Sequence, residues 1–284
     1  MITVIRAPSG RQLNVGDGVT RLMGIINVTP DSFSDGGQFI TPQTAAAHAC
    51  AMVEAGAAVI DIGGESTRPG HDAVPAEEQL RRILPVLEAI RHQTDIPISI
   101  DTTLASVAER TLDAGADWIN DTTGLGGDPE LAHLVAERGC PLILMHRFQP
   151  PRRPDMNPDP KGMIGQLLAG LSHSMELATA AGIESEQILL DPGIGFGTLG
   201  PDNPVILANL DSLRHLQRPL VVGPSRKSFI GDLTGRDVSQ RVYGTAATVT
   251  AAILAGVEIL RVHDIAEMHD VALVADAIRA GSVT

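Results

Sequence analysis

Basic charge, aromatic rings, cysteine and long apolar runs are all scarce in this 284-residue sequence, and each shortage excludes something. Lys and Arg number 21 against 34 Asp and Glu, a formal net charge of −13 at pH 7, with no basic block along the chain. Nucleic acid as a principal partner is excluded on that ground. Aromatic residues make up 2%, so a core has to be built from Ala, Val, Ile and Leu, the residues of parallel sheets and the helices that cover them. The two cysteines, Cys50 and Cys140, stand far apart without CxxC or metal-ligand spacing, read as small buried apolar residues, and imply no disulfide framework. The amino end, MITVIRAPSG, lacks a signal-peptide core, and no uninterrupted run of about 18 apolar residues follows, so the expectation is a soluble, cytoplasmic protein without a membrane partner.

What is present is a regular alternation. Short apolar runs at 22–26, 58–62, 96–100, 117–119, 142–145, 188–190, 220–222 and 257–262 are each followed by polar, Gly-rich residues and then by a stretch of helical spacing. The helical stretches are expected at 42–55, 75–90, 104–114, 129–138, 163–181, 204–213, 243–254 and 265–279. Eight units share residues 21–284, about 33 residues each, the length of a strand, a crossover helix and two loops. The expected fold is therefore an α/β (β/α)8 TIM barrel, a single domain over 1–284. Residues 1–20 are expected to form a hairpin closing the barrel bottom. A doubly wound sheet also alternates, but GIGFG at 193–197 has the wrong spacing for a dinucleotide fingerprint. The Pro-rich stretch 147–161 is expected to be a long loop.

Barrel active sites assemble at the carboxyl ends of the strands, and here those ends are polar. Asn27 ends the first strand, Asp61 lies in the end of the second, and Asp101, Asn120, His146 and Asp191 close the third to sixth. The seventh runs into Ser225, Arg226, Lys227 and Ser228, and the eighth carries Arg261 and His263. Any one of these acidic or amide residues could instead cap the following helix, although capping alone is a poor account of six at once. Asp101, Asn120, Asp191 and Lys227 together supply carboxylate acceptors, an amide and a cationic donor, a set suited to a flat heterocycle with an amidine-like edge. Arg261 and His263, beside the amino end of the last helix, read as an anion site.

Longer motifs carry a resemblance. GIINVTPDSFSDGG at 24–37, DIGGESTRPG at 61–70 and LDPGIGFG at 190–197 closely resemble the dihydropteroate synthase family. SIDT at 99–102, IND at 119–121, LMH at 144–146, GPSRKSFIG at 223–231 and RVHD at 261–264 agree with it. The resemblance implies condensation of 6-hydroxymethyl-7,8-dihydropterin diphosphate with p-aminobenzoate, giving dihydropteroate and diphosphate in folate biosynthesis. It implies a pterin pocket of Asp101, Asn120, Asp191 and Lys227, with Arg261 against the ring face and Met145 beneath it as contact or plain core. Asp101, Lys227 and Arg261 are the implied catalytic groups. Asn27 would be the protein ligand of Mg²⁺, and Asn27, Arg68, Arg261 and His263 would share the diphosphate. p-Aminobenzoate is implied between Pro69 and Phe196, near Thr67, with its carboxylate at Ser228. Arg226 is left between substrate contact and a surface ion pair.

The chemistry expected with this set is a dissociative substitution through a pterin-methyl cation, because diphosphate leaves readily once neutralised. Loops 28–39 and 63–74 are expected to act as lids that exclude water, with Asp31, Ser32, Phe33 and Asp35 engaged on closure. The family precedent is a homodimer, and the Ala-rich 246–255 segment offers a surface for close packing against a twin. Sulfonamides mimic p-aminobenzoate in this family. The sequence departs from the family pattern after His146, where RFQPPRRPDM brings three arginines and extra prolines. Two other readings compete: a non-catalytic pterin-binding paralogue, and a barrel passing a methyl group from methyltetrahydrofolate to a corrinoid. The second of these has no need of GPSRKSF or of an arginine-rich diphosphate site.

Overall fold

The computed structural model describes residues 2–29, 41–65, 73–149 and 159–282. Two short strands, β1 (Thr3–Arg6) and β2 (Gln12–Val15), pair antiparallel as a hairpin. Eight parallel strands follow: β3 (Arg21–Asn27), β4 (Ala57–Gly63), β5 (Ile98–Asp101), β6 (Trp118–Asp121), β7 (Leu142–Met145), β8 (Ile188–Asp191), β9 (Val221–Val222) and β10 (Ile259–Val262). Their order is β8-β7-β6-β5-β4-β3-β10-β9, and a bridge between Leu190 and Leu220 joins β8 to β9, so the sheet closes on itself as expected for a TIM barrel.

The helices are α1 (Pro42–Glu54), α2 (Ala76–Arg91), α3 (Ala105–Asp113), α4 (Glu130–Arg138), α5 (Pro160–Ala180), α6 (Asp202–Leu207), α7 (Ser228–Thr234), α8 (Val242–Leu254) and α9 (Ile265–Ala280). Local chemistry sets several ends. Thr41 and Thr44 form a reciprocal capping box at α1, and Gly139 takes a left-handed φ of 60° to close α4.

Three expectations are corrected. The 204–213 helix breaks into α6 and a 3₁₀ segment, Leu210–Leu216, because Asn209 leaves helical geometry and its side-chain amide donates back to the Val205 carbonyl at 2.8 Å. The loop after β9 contains α7, too short to show helical spacing and closed by Gly235 in the left-handed region. Cys140 is fully buried as expected, but Cys50 is only half-buried and its thiol donates to Gln93.

Two apolar layers result. Outward residues of the strands pack against the helices, while Met23, Val59, Trp118, Ile143, Leu189, Val221 and Ile259 point inward and pack with Ile5, Ala7 and Val15 of the hairpin. The hairpin therefore stops the amino end of the barrel. It is tied there by the buried Asp117, which accepts from Ser9 Oγ at 2.5 Å and from Arg91 at 2.7 Å. Among the described residues, no helix is long and apolar enough to cross a membrane.

Candidate active site

In a strand the side chains alternate between faces, so the residue two places beyond each floor residue also points inward, one layer nearer the carboxyl rim. Val59 is followed by Asp61, Trp118 by Asn120, Ile143 by Met145, Leu189 by Asp191 and Ile259 by Arg261. Strand register then sets these groups abreast: Gly63 beside Asp101, Asp101 beside Asn120, and Met145 beside Asp191. The expected pterin set, Asp101, Asn120, Met145, Asp191, Lys227 and Arg261, lines one pocket together with Phe196 and Gly223. None of the strand-end Asn and Asp residues caps a following helix; the cap positions of α2 to α6 are Pro75, Leu104, Pro129, Asp159 and Pro201.

Arg261 is the hub. Its Nε donates to Asp61 Oδ2 at 2.6 Å and its Nη2 to Asp101 Oδ2 at 2.9 Å, while Asn120 Nδ2 reaches the same Asp61 oxygen at 3.3 Å. Asp61 is the site residue that sequence reasoning left without a role. Its position at a polar strand end was the available signal, but its partner lies 200 residues away. Burial raises the Asp101 carboxyl to about 7, against the attraction of Arg261, with Asp61 adding to the rise. Burial likewise brings Asp191 up to about 6, opposed by the Gly193 N–H that donates to it at 2.7 Å. Lys227 falls to about 8, through burial and the neighbouring Arg261. The pocket thus holds charges that have lost much of their hydration and are set to exchange partners with a polar ligand.

The loop after β8 wraps the rim. Gly193 and Gly197 have φ of 73° and 69°, and a Cβ on them would meet the carbonyl oxygens of His146 and Phe148 at 1.9 and 2.0 Å. Only glycine lets this loop lie so close to the end of β7. It presents the half-buried Phe196, with Lys227 Nζ 4.2 Å and Arg147 Cζ 5.5 Å from the ring centroid. Arg147 had no individual role in the sequence reading.

The remaining expected residues divide. Asn27 lies at the rim, where a Cβ on Gly63 would sit 3.6 Å from its Oδ1 and 3.8 Å from Asp101 Oδ2. Ser228 opens α7 and is exposed. His263 Nδ1 and Ser225 Oγ are 2.9 Å apart. Arg226 takes the ion-pair alternative, its Nη2 2.5 Å from the half-buried Asp264 carboxylate, and Asp264 stands at the N-cap position of α9 without a side-chain capping hydrogen bond. Thr67, Arg68, Pro69, Asp31, Ser32, Phe33 and Asp35 lie outside the described residues. Among the described residues no group of three or more His, Cys, Asp or Glu could hold a metal ion.

Comparison with known proteins agrees with this geometry. A family model described as pterin binding enzyme matches residues 23–263. The dihydropteroate synthase of Synechocystis sp. is 47% identical over 260 residues, 91% of this chain and 90% of that one. The structure of Xanthomonas albilineans dihydropteroate synthase with 4-aminobenzoic acid superposes with a TM-score of 0.90 at 41% identity, covering 99% of both chains. Another structure of the Xanthomonas protein, in complex with 7,8-dihydropteroate, gives 0.84 at 41% identity, covering 96% of this chain and 97% of that one.

Proposed function

This chain belongs to the pterin-binding enzyme family and acts as a dihydropteroate synthase, and from that premise we propose how its own residues carry the reaction. Asp101 and Asp191 accept N–H bonds from the edge of the pterin, Asn120 both donates and accepts, and Lys227 donates to the ring's acceptor atoms. Arg261 exchanges its hold on Asp101 for the face of the ring and for diphosphate, retaining Asp61 as its anchor. His263 and Arg68 complete the diphosphate side.

The bond between the pterin methylene and the diphosphate oxygen breaks, its electron pair leaving on the diphosphate. The cation left on the methylene is delocalised into the ring and faces ionised Asp101. The amine of p-aminobenzoate attacks that carbon and then gives up a proton. Phe196, Pro69 and Thr67 hold the aryl ring, with Ser228 at its carboxylate. A secondary kinetic isotope effect well above unity at the methylene is expected; one near unity counts against this route.

Mg²⁺ fits Asn27. Gly63 keeps the space between Asn27 Oδ1 and Asp101 Oδ2 free of a side chain, and one neutral amide oxygen suits an ion that keeps water and substrate phosphates as its other partners. When bound, the ion supplies charge to the departing diphosphate. The enzyme is proposed to work in the cytoplasm as one functional unit over 1–284, and as a homodimer through the exposed apolar face of α8 and α9, where Leu254, Leu273, Val274 and Ile278 stand open.

The observation that carries the reading is the convergence of Asp61, Asp101, Asn120, Asp191, Lys227 and Arg261, from five strands and one loop, at the barrel mouth. A diphosphate-release assay tests it. Release is expected only with both p-aminobenzoate and Mg²⁺; no release in the complete mixture would leave a non-catalytic pterin binder.

A further inference from the structure

The inward face of β5 interrupts the apolar floor. Ser99 stands there, with Asp61 abreast of it on β4 and Trp118 abreast on β6, across three successive strands in parallel register. All three side chains are fully buried. Each has one polar atom, Asp61 Oδ1, Ser99 Oγ and Trp118 Nε1, without a hydrogen-bond partner among the described residues. Buried polar groups are almost always satisfied by protein or by ordered water, so three orphans in one register call for a shared partner.

The chemistry of the three groups selects that partner. An indole N–H only donates, which excludes a cation; a carboxylate only accepts, which excludes an anion. What remains is a small neutral molecule that accepts from Trp118, donates to Asp61 and does either with the Ser99 hydroxyl. Three hydrogen bonds are also the usual complement of an internal water.

We propose that Asp61, Ser99 and Trp118 hold one internal water beneath the barrel mouth, and that this water fixes Asp61 from below. The other oxygen of Asp61 takes Arg261 and Asn120. Held on both oxygens, the carboxylate keeps its orientation when Arg261 turns from Asp101 to substrate. Ser99 and Trp118 are thus positioning residues for Arg261, acting through Asp61. The water site stands independently of the assigned activity; its effect on pterin affinity rests on that reading.

Trp118 is the only tryptophan in the chain, so its fluorescence and its single indole N–H resonance report this atom alone. A high-resolution crystal structure of the whole protein is expected to show one ordered water within hydrogen-bond distance of all three atoms, and the indole proton is expected to cross-relax with water. In Ser99→Val that cross-relaxation disappears, the emission moves to the blue, and KM for the pterin substrate rises roughly fivefold while KM for p-aminobenzoate holds. Ser99→Thr, which keeps the hydroxyl, restores both signals and serves as the folded control. A dry site, a direct Ser99–Asp61 hydrogen bond, or an unchanged indole signal in Ser99→Val overturns the water. A bound water with unchanged pterin KM in Ser99→Val overturns the positioning role. An ordered water in a protein that releases no diphosphate counts against the assigned activity and leaves the water site standing.

Discussion

Asp101 joins stability to turnover in one carboxyl group. Its ordinary value of 3.8 rises to about 7 on burial, so between these values the folded chain holds a proton that the unfolded chain has released. Stability from this group is therefore greatest at low pH and declines as pH rises through about 7, a change on the order of 4 kcal/mol. Lys227 has the opposite sign: lowered to about 8, it contributes stability that returns as pH climbs from there towards 10.5. Tm of ligand-free protein against pH is expected to dip between these values, and Asp101→Asn is expected to shrink the acid-side decline to the share that Asp191, raised to about 6, still contributes. The charged forms that burial penalises are the ones the proposed mechanism uses. Hence kcat/KM for the pterin substrate should trace a bell, rising through about 7 as Asp101 ionises and falling past about 8 as Lys227 loses its proton. Asp101→Asn should lower turnover by two orders of magnitude or more, roughly the worth of one preorganised electrostatic contact, with a modest loss of pterin binding; unchanged turnover removes it from the mechanism. Ser228→Ala should raise KM for p-aminobenzoate several-fold, about the value of one hydrogen bond to a charged group, and leave the pterin KM alone. Lys227, in the loop beyond β9, was legible in sequence through the GPSRKSFIG motif, and Asp101, Asn120 and Asp191 because each is a polar residue at the end of an apolar run. Asp61 shared that signal, but its pairing with Arg261 depends on barrel closure, which no local pattern encodes.

Among the elements, the eight strands were legible to within two or three residues because each is an apolar run buried on both faces. Helices were legible where their spacing lasted at least two turns. α7 was not, having seven residues with Gly231 among them, and the break between α6 and the 3₁₀ segment turns on one side chain, that of Asn209. The loop after β8 carries Phe196, the residue proposed to hold the aryl substrate. Gly193→Ala places a methyl against the His146 carbonyl at a φ of 73°, so a loss of about 2 kcal/mol or more is expected in denaturant unfolding. Because the same loop carries Phe196, the surviving folded fraction should also show a raised KM for p-aminobenzoate. A variant as stable as the wild type would mean that the loop can stand off from β7 at no cost.

Across the molecule, exposed apolar side chains gather on α8 and α9. Leu273, Val274 and Ile278 are 56, 61 and 59% exposed and flank a groove lined by Thr250, Asp270, Val271 and Ala275. This is the surface through which pairing of two copies was proposed. Light scattering is expected to give twice the chain mass, and Val274→Glu should halve it without altering the circular dichroism spectrum; a monomeric wild type refutes the pairing. The two-residue step from barrel floor to barrel rim bears on heredity as well. Point changes can drift at either level separately, since each side chain meets its own layer. An inserted or deleted codon inside β4, β6, β8 or β10 that shifts their pairing cannot, because it turns the floor residue, the ligand-facing residue or both outward. Lineages descending from such a barrel should thus vary in length only between their strands, and an indel library screened for folate prototrophy should recover no survivors within them.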